Sequence, residues 1–425
     1  MYNLVELFSG IGSQVKALKN IEMDINVMGT CEWDIQAFCA YDAIHNSTEI
    51  LDKISNLTKK EVFEKLSKYT LSSNGKDAMD SKSLYSYSEL ILKKILTAIV
   101  RSNNYVDINE LTGKKFPNNI DIMTYSFPCQ DLSNVGAFHG YNKGIDRNSG
   151  SRSSLLWQVG RILNEVKDLG KSLPKYLLME NVPTLLSPRH INNFQEWIEV
   201  LKKLGYESHY YELNAHDFGL PQNRPRLLMI SVFVGNDEKK KNIVEKFLDK
   251  KPDEIVDSYI KSSYYKKYKI EDMLRKDYDN PIIFKEACAC NPNRTESRKK
   301  IWEENPQIVL KSGEINTNFD CIRTITTKQD RNPNSGNLYF DSKREGKSKF
   351  RYLTPRECLL FMGFTDDDYE KIIKDNPKHH GTTFFSRDKI IRMAGNSIPV
   401  KLLEGIFLQI KELDKIIKDY ETTEN

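Results

Sequence analysis

The sequence predicts an α/β protein: a mostly parallel sheet covered on both faces by helices. Three observations predict it. Short apolar runs recur along the first half of the chain, namely NLVELF (3–8), INVMGTCEW (25–33), NYVDI (104–108), IDIMTYSF (120–127), KYLLMENV (175–182), SHYYELNA (208–215) and RLLMISVF (226–233). Amphipathic stretches of helical period lie between most of them, for example SLLWQVGRILNEVKDL (154–169) and NNFQEWIEVLKKLG (192–205). Strands alternating with helices are the pattern of a parallel sheet. The chain also has 425 residues, 39% of them hydrophobic, which suits one large domain and a smaller one, or two to three ordinary domains.

The first run reads as a core strand, and FSGIGS (8–13) follows it and opens a helix. Glycines there permit a tight turn and a close approach of backbone to ligand. Val15 breaks a full GxGxxG, and no GK[ST] follows, so this is not a phosphate-cradling loop. The second run ends in CEWD (31–34). Glu32 lies about 20 residues beyond the turn, where an acidic side chain accepts both hydroxyls of a ribose. Trp33 is suited to stack on a base, with ordinary core packing as the plain alternative. Asp107 closes the third run and can accept from an adenine amino group. A Gly turn, Glu-Trp and Asp at three consecutive strand ends fit an adenosine pocket. Without a phosphate cradle, S-adenosylmethionine suits it better than NAD. Residues 46–100 read as extra helices inserted after the second strand.

The fourth run stops at Pro128-Cys129, on the edge where open α/β sheets bind ligands. Most cysteines are small buried hydrophobes. This one heads a segment with Gly136, Gly140, Gly144 and Gly150, which reads as a reactive thiol with a mobile lid. His139, His190 and His216 sit in no recognisable motif, which argues against a Cys–His protease. Glu180 ends the fifth run on the same edge. In QNRPR (222–226), Arg224 and Arg226 alternate and face one side of an extended chain; a surface salt bridge is their plain alternative. The runs 208–215 and 226–233 have no helix between them and can form a hairpin.

Net charge is +4, and 17 of the 63 basic residues are Arg. Lysine runs such as 239–241 read as solvated surface, so the arginines carry more information. Seven cysteines without a CxxC pair point to a reducing, cytoplasmic setting. Cys288 and Cys290 read as part of a half-buried strand, and no metal is expected. No run of about 18 apolar residues suggests a membrane span, and the N-terminus reads as a core strand. From Gly235 the chain turns polar and irregular, and 321–351 carries eight basic and three acidic residues. The expected boundaries are 1–234 (with the helical insertion at about 46–100), 235–350 as a second domain, and 351–425 returning to the first.

The order FSGIGS, CEWD, DI, PCQDLS, ENV, QNRPR, then a variable region, RYLTPRECLLFMGF and AGNSIPV resembles the DNA cytosine-5 methyltransferases of restriction-modification type. The resemblance runs from Leu4 to about Ile410. It implies a Rossmann-like domain that binds S-adenosylmethionine, and a smaller target-recognition domain. By this resemblance Phe8, Gly10, Ile11 and Gly12 line the methionine side of the cofactor. Glu32 holds the ribose, Trp33 the adenine, and Asp107 with Ile108 meets the adenine edge. Pro128, Leu155, Asn396 and Ser397 complete the pocket. Cys129 is the nucleophile and Glu180 the partner of the cytosine ring nitrogen, while Arg224 and Arg226 steady the base and its loop. Gln130, Ser133, Arg323, Arg331 and Arg344 are the candidate DNA contacts. A thiolate adding at C6 of a flipped-out cytosine would activate C5 toward a methyl donor.

Glu6 stands where this family commonly has Asp, Ser13 where it often has Gly, and Leu360 in place of a frequent Arg; none removes a group from the chemistry. The implied partner is duplex DNA on a bacterial nucleoid, with a restriction endonuclease suggested by family habit alone. A monomer suffices for base flipping. An RNA cytosine methyltransferase would be expected to have a shorter recognition region, and a silent DNA-binding regulator would not need Cys129, Glu180 and Arg224.

Overall fold

A computed structural model of the chain describes residues 1–128, 132, 145, 152–330 and 334–424. The chain forms two compact units. The first comprises Met1–Leu213, Pro225–Tyr264 and Leu403–Asn425, and the second Asn214–Arg224 and Tyr265–Leu402.

The first unit is built on a six-stranded sheet of order β2-β1-β3-β4-β7-β5. Its strands are β1 (Tyr2–Leu7), β2 (Ile25–Cys31), β3 (Ile122–Tyr125), β4 (Tyr176–Asn181), β5 (Tyr206–Asn214) and β7 (Pro225–Phe233); β6 (Gln222–Asn223) lies between the last two in sequence. The first four strands are parallel and β7 runs antiparallel to β4. The apolar runs thus became strands where they were long and continuous. One did not. In 104–108 a single bridge joins Thr30 and Asn104, and Val106 then adopts φ 66°. A β-branched residue in the left-handed region ends a strand.

Side chains alternate across a strand. Val5, Leu7, Met123, Tyr125, Leu177 and Met179 therefore share one face, packed with Leu156, Val159, Leu163, Phe194 and Trp197. The last five lie on the helices Leu156–Asp168 and Ile191–Lys203, close to where their periodicity placed them. On the other face stand Glu6, Thr124, Ser126 and Glu180, because Glu6 pairs with Thr124 and Tyr125 with Met179 in register. These four polar groups thus share one face of the sheet.

Residues 46–100 hold the helices Asp52–Ser55, Lys59–Leu66, Ser81–Tyr85 and most of Glu89–Arg101. Thr58, Asp80 and Ser88 each cap the helix that follows by accepting a backbone N–H. The insertion also returns to the sheet edge. Ser72 N–H donates to the Trp33 carbonyl and Ile35 N–H to the Ser72 carbonyl, both at 2.9 Å.

The second unit holds a three-stranded sheet, the short parallel pair of β6 with Ile322–Arg323, and helices including Pro355–Phe361 and Arg387–Asn396. Compactness divides the chain differently from the boundaries expected at 234 and 350. Residues 235–264 belong to the first unit, where the Tyr259 hydroxyl donates to Glu404. Residues 351–402 belong to the second. There the buried Arg351 pairs with Glu357 at 2.7 Å, and Arg356 pairs with Glu286 at 2.8 Å. Cys288 and Cys290 lie on and just after the helix Pro281–Ala289, not on a strand; the Asn280 side chain caps that helix and Pro281 starts it. Among the described residues no helix is long and apolar enough to cross a membrane.

Candidate active site

The Gly turn closes over the end of β1. Phe8 and Ser9 N–H both donate to the Cys31 carbonyl, and Gly12 N–H to the Ser9 carbonyl. Gly12 begins the helix Ser13–Asn20 at φ 79°, and a Cβ there would lie 2.4 Å from His45 Nε2. Gly10 differs. At φ 54° its Cβ would meet nothing within 4 Å, so the turn opens onto free space there. Beside it, Glu6 Oε1, Ser9 Oγ and Thr124 Oγ1 are buried without a hydrogen-bond partner. Glu6 Oε2 accepts from the Tyr41 hydroxyl at 2.6 Å. Burial pushes its carboxyl up to about 7.

Glu32 sits where the sequence put it, half-buried at the end of β2. Its Oε2 accepts from Gly10 N–H at 3.1 Å and its Oε1 from Asp34 N–H at 2.9 Å. The carboxyl therefore fastens the turn to the strand beside it. Burial, and then the neighbouring Asp34, push it up to about 7. Asp34 itself caps the helix Ile35–His45. Trp33 is half-buried, Ile11 and Ile108 are buried, and Phe8 and Leu155 pack at the margin of the core. Asp107 Oδ1 accepts from both Asn109 nitrogens.

Asn104 gave no signal in the sequence. Its carboxamide accepts from Glu32 N–H and Val106 N–H, each at 3.0 Å, and donates to the Glu32 carbonyl at 2.9 Å. One buried side chain thus replaces the ladder that 104–108 does not form and fixes Glu32.

The chain leading to Cys129 is held at three consecutive residues. The Ser126 hydroxyl donates to Glu180 Oε2 at 2.5 Å. Asn181 Nδ2 donates to the Phe127 carbonyl at 3.1 Å, and the Ser153 hydroxyl to the Pro128 carbonyl at 2.6 Å. Cys129, Gln130, Ser133 and Arg331 lie outside the described residues. Glu180 is buried at the end of β4, and Arg226 Nε donates to its Oε1 at 2.9 Å. β4 is the middle strand here, so its carboxylate receives Ser126 from one neighbour and Arg226 from the other. Ser126, Asn181 and Ser153 were not singled out in the sequence as parts of the site. Small polar residues have no periodicity, and Ser126 finds its partner 54 positions away.

Arg224 departs from expectation. It belongs to the second unit and is 1% exposed. Its guanidinium donates to the carbonyls of Ile325, Gly395 and Ser397 at 2.7 to 2.8 Å. Gln222, two residues earlier and equally buried, donates to the Phe361 carbonyl and accepts from Ile325 N–H. These side chains share one face of an extended segment and fasten it inside its own unit, so Arg224 is a clamp on backbone rather than a group presented to a base. Asn396, Arg323 and Arg344 are not buried in that unit, and Ser397 is buried with its hydroxyl on the Met393 carbonyl. Also there, the ligand atoms of His216, Asp320 and Cys321 lie within 4.8 Å of one another. The imidazole stands between two carboxylates, 3.5 Å from Asp320 and 3.7 Å from Asp217, and burial pushes the Cys321 thiol up to about 11.

Known proteins share this plan. The profile of the C-5 cytosine-specific DNA methylases matches residues 86–412. The orphan methyltransferase M.SssI of Spiroplasma monobiae is 32% identical over 412 residues, covering 95% of this chain and 96% of its own. The type II methyltransferase M2.ScrFI of Lactococcus lactis is 29% identical over 419 residues, covering 96% and 99%. The crystal structure of S. pombe Dnmt2 methyltransferase has the same fold, with a TM-score of 0.55 at 18% identity over 97% of this chain and 99% of that one. A Glu–Arg pair held at the end of β4 and relatives that match from end to end lead to one assignment: the chain belongs to the C-5 cytosine-specific DNA methylase family and is an enzyme of the DNA (cytosine-5-)-methyltransferase type.

Proposed function

We propose that this enzyme methylates C5 of a cytosine flipped out of a specific short sequence in duplex DNA, through a transient bond between Cys129 and C6. The observation that carries the reading is the Glu180 carboxyl, held by Arg226 and by Ser126, which stands three residues before the cysteine.

S-adenosylmethionine, when bound, supplies an electrophilic methyl group. The residues at the edge fit it. The space over Gly10 leaves room for a ligand, the unpartnered atoms of Glu6, Ser9 and Thr124 offer polar contacts, and Glu32 offers a carboxyl to ribose hydroxyls. Phe8, Ile11, Gly12, Trp33, Asp107, Ile108, Pro128 and Leu155 complete this assignment within the first unit, and the resemblance adds Asn396 and Ser397.

The cytosine is inaccessible inside a duplex and must leave the stack. The Cys129 thiolate adds to C6, and the displaced electron pair moves into the ring. Glu180 gives its proton to the ring nitrogen where negative charge builds. The carboxylate left behind is met by the Arg226 guanidinium and the Ser126 hydroxyl. C5 is now nucleophilic and would take the methyl group from the bound donor, which would leave as S-adenosylhomocysteine. Loss of the C5 proton to a base such as water, with return of the ring-nitrogen proton to Glu180, then expels the Cys129 thiolate and restores the C5–C6 double bond. Target choice falls to residues 235–350, with Arg323, Arg331 and Arg344, together with Gln130 and Ser133, as DNA contacts. A type II relative makes a restriction endonuclease partner part of the proposal.

The test is to incubate the protein with S-adenosylmethionine and unmethylated mixed-sequence DNA, then bisulfite-sequence the product beside a Cys129→Ala control. Protected cytosines in one short context, absent from the control, are expected. Equal protection in the control removes Cys129 as nucleophile. No protection by the wild type moves the assay to structured RNA.

A further inference from the structure

We propose that Ser126 is a positioning residue for Glu180, holding its carboxyl in one orientation through both protonation states; this rests on the reading of Glu180 above. Strand register brings the two together. β3 pairs with β4 from Ile122–Tyr176 to Tyr125–Met179, so the next step sets Ser126 beside Glu180 on the same face. β7 pairs with β4 from the other side, Glu180 facing Leu228, and places Arg226 two residues nearer the edge. The two oxygens of one carboxyl are therefore held from opposite neighbours, Oε2 by the Ser126 hydroxyl at 2.5 Å and Oε1 by Arg226 Nε at 2.9 Å.

Arg226 alone leaves the carboxyl free to turn about its last side-chain bond. The second contact removes that freedom. The two partners also differ in kind. A guanidinium only donates, so it serves the charged carboxylate. A hydroxyl has one donor and two lone pairs. It donates to Oε2 when Glu180 is charged, and rotates to accept when Oε2 carries a proton and no base is bound to take it. A residue that gives up a proton in every turnover needs a neighbour that can answer both states, because a buried polar atom left unpaired is costly. Glu180 is 7% exposed, so water does little of this. Ser126 also lies three positions before Cys129, which ties the acid to the chain leading to the nucleophile.

The experiment compares wild type, Ser126→Ala and Ser126→Thr on the duplex sequence that the wild type methylates, over pH 5.5–9, with thermal denaturation as a check of folding. In Ser126→Ala, kcat is expected to fall about tenfold with KM changed by less than about twofold, as for loss of one contact to a charged group. Its pH–rate profile should differ from that of the wild type, because one of the two contacts that answer the carboxyl's protonation is gone. Ser126→Thr keeps the hydroxyl and should restore most of the rate and the profile. A Ser126→Ala enzyme with wild-type rate and profile overturns the proposal, and so do Ala and Thr variants that are impaired alike. If the Ala variant does not fold, Ser126→Gly is read against the same outcomes. A wild type that forms no adduct with 5-fluorocytosine duplex defeats the parent reading instead; an adduct with unaltered Ser126→Ala kinetics defeats this one alone.

Discussion

Arg226 Nε lies 2.9 Å from Glu180 Oε1, with the two side chains only 11% and 9% exposed. A charge pair so withdrawn from water depends on both members. Removing one strands the other, at a cost of about 3 kcal/mol or more. Arg226→Ala should therefore lower stability by roughly that amount. Arg226→Lys keeps a charge but loses the planar donor, and should fold while losing about tenfold or more in kcat. Thermal denaturation and single-turnover methylation would separate the two effects. A lysine variant at the wild-type rate would take Arg226 out of the chemistry.

Glu32 gives a pH dependence to cofactor affinity. Its carboxyl is pushed up to about 7, so it is largely protonated at pH 6 and largely charged at pH 8. Ribose hydroxyls donate best to the charged form. Calorimetry with S-adenosylhomocysteine should show binding about tenfold tighter at pH 8 than at pH 6, a difference of about 1.4 kcal/mol. Glu32→Gln should bind weakly at both, without the slope. A flat wild-type profile would place Glu32 outside the pocket.

Glu6 affects stability in the opposite sense to a salt-bridged acid. Its folded value of about 7 lies above the ordinary 4.5, so the native state favours the proton. That contribution is whole below pH 4.5, is lost as pH rises through about 7, and amounts to about 3 kcal/mol between the extremes. Glu6→Gln cannot titrate. Its stability relative to wild type should therefore rise from pH 5 to pH 8, as urea unfolding would show. A constant difference would mean that Glu6 stays neutral or charged throughout.

The two glycines of the turn should fail differently. Gly12→Ala forces a Cβ to within 2.4 Å of His45 and 2.7 Å of Tyr41 at φ 79°, and should cost roughly 1–3 kcal/mol in stability. Gly10→Ala meets open space. It should disturb the fold less than its neighbour but weaken cofactor binding. Melting temperature and calorimetry on both variants would test this; equal effects on both readouts would mean that the space over Gly10 is not ligand space.

What the sequence disclosed follows from what patterns can carry. The long strands and the two core helices were legible because burying a face imposes a period on the residues that form it. Glu32 and Glu180 were legible as strand-end carboxylates because each closes such a run, while Cys129 lies outside the described residues. The run 104–108 misled: Asn104 satisfies the neighbouring backbone with its side chain, and Val106 turns left-handed, neither of which shows as periodicity. Arg224 and Arg226 looked equivalent two positions apart, yet one grips three carbonyls and the other a carboxylate. Ser126 and Asn181 depend on partners more than 50 residues away, and no local reading finds those.

The contact of Ser72 with Trp33 and Ile35 bears on any attempt to make a smaller enzyme. Residues 46–100 look like baggage that could be trimmed to a short loop. Yet their middle portion supplies a strand-like bridge at Asp34, beside the tryptophan and glutamate at the end of β2. Cutting the whole segment would leave a carbonyl and an N–H at that edge without partners. A miniaturised version would have to graft back a piece around 69–79, where Met79 N–H closes the loop onto the Leu71 carbonyl. The addition has become part of the frame, and later changes to that sheet edge are constrained by it.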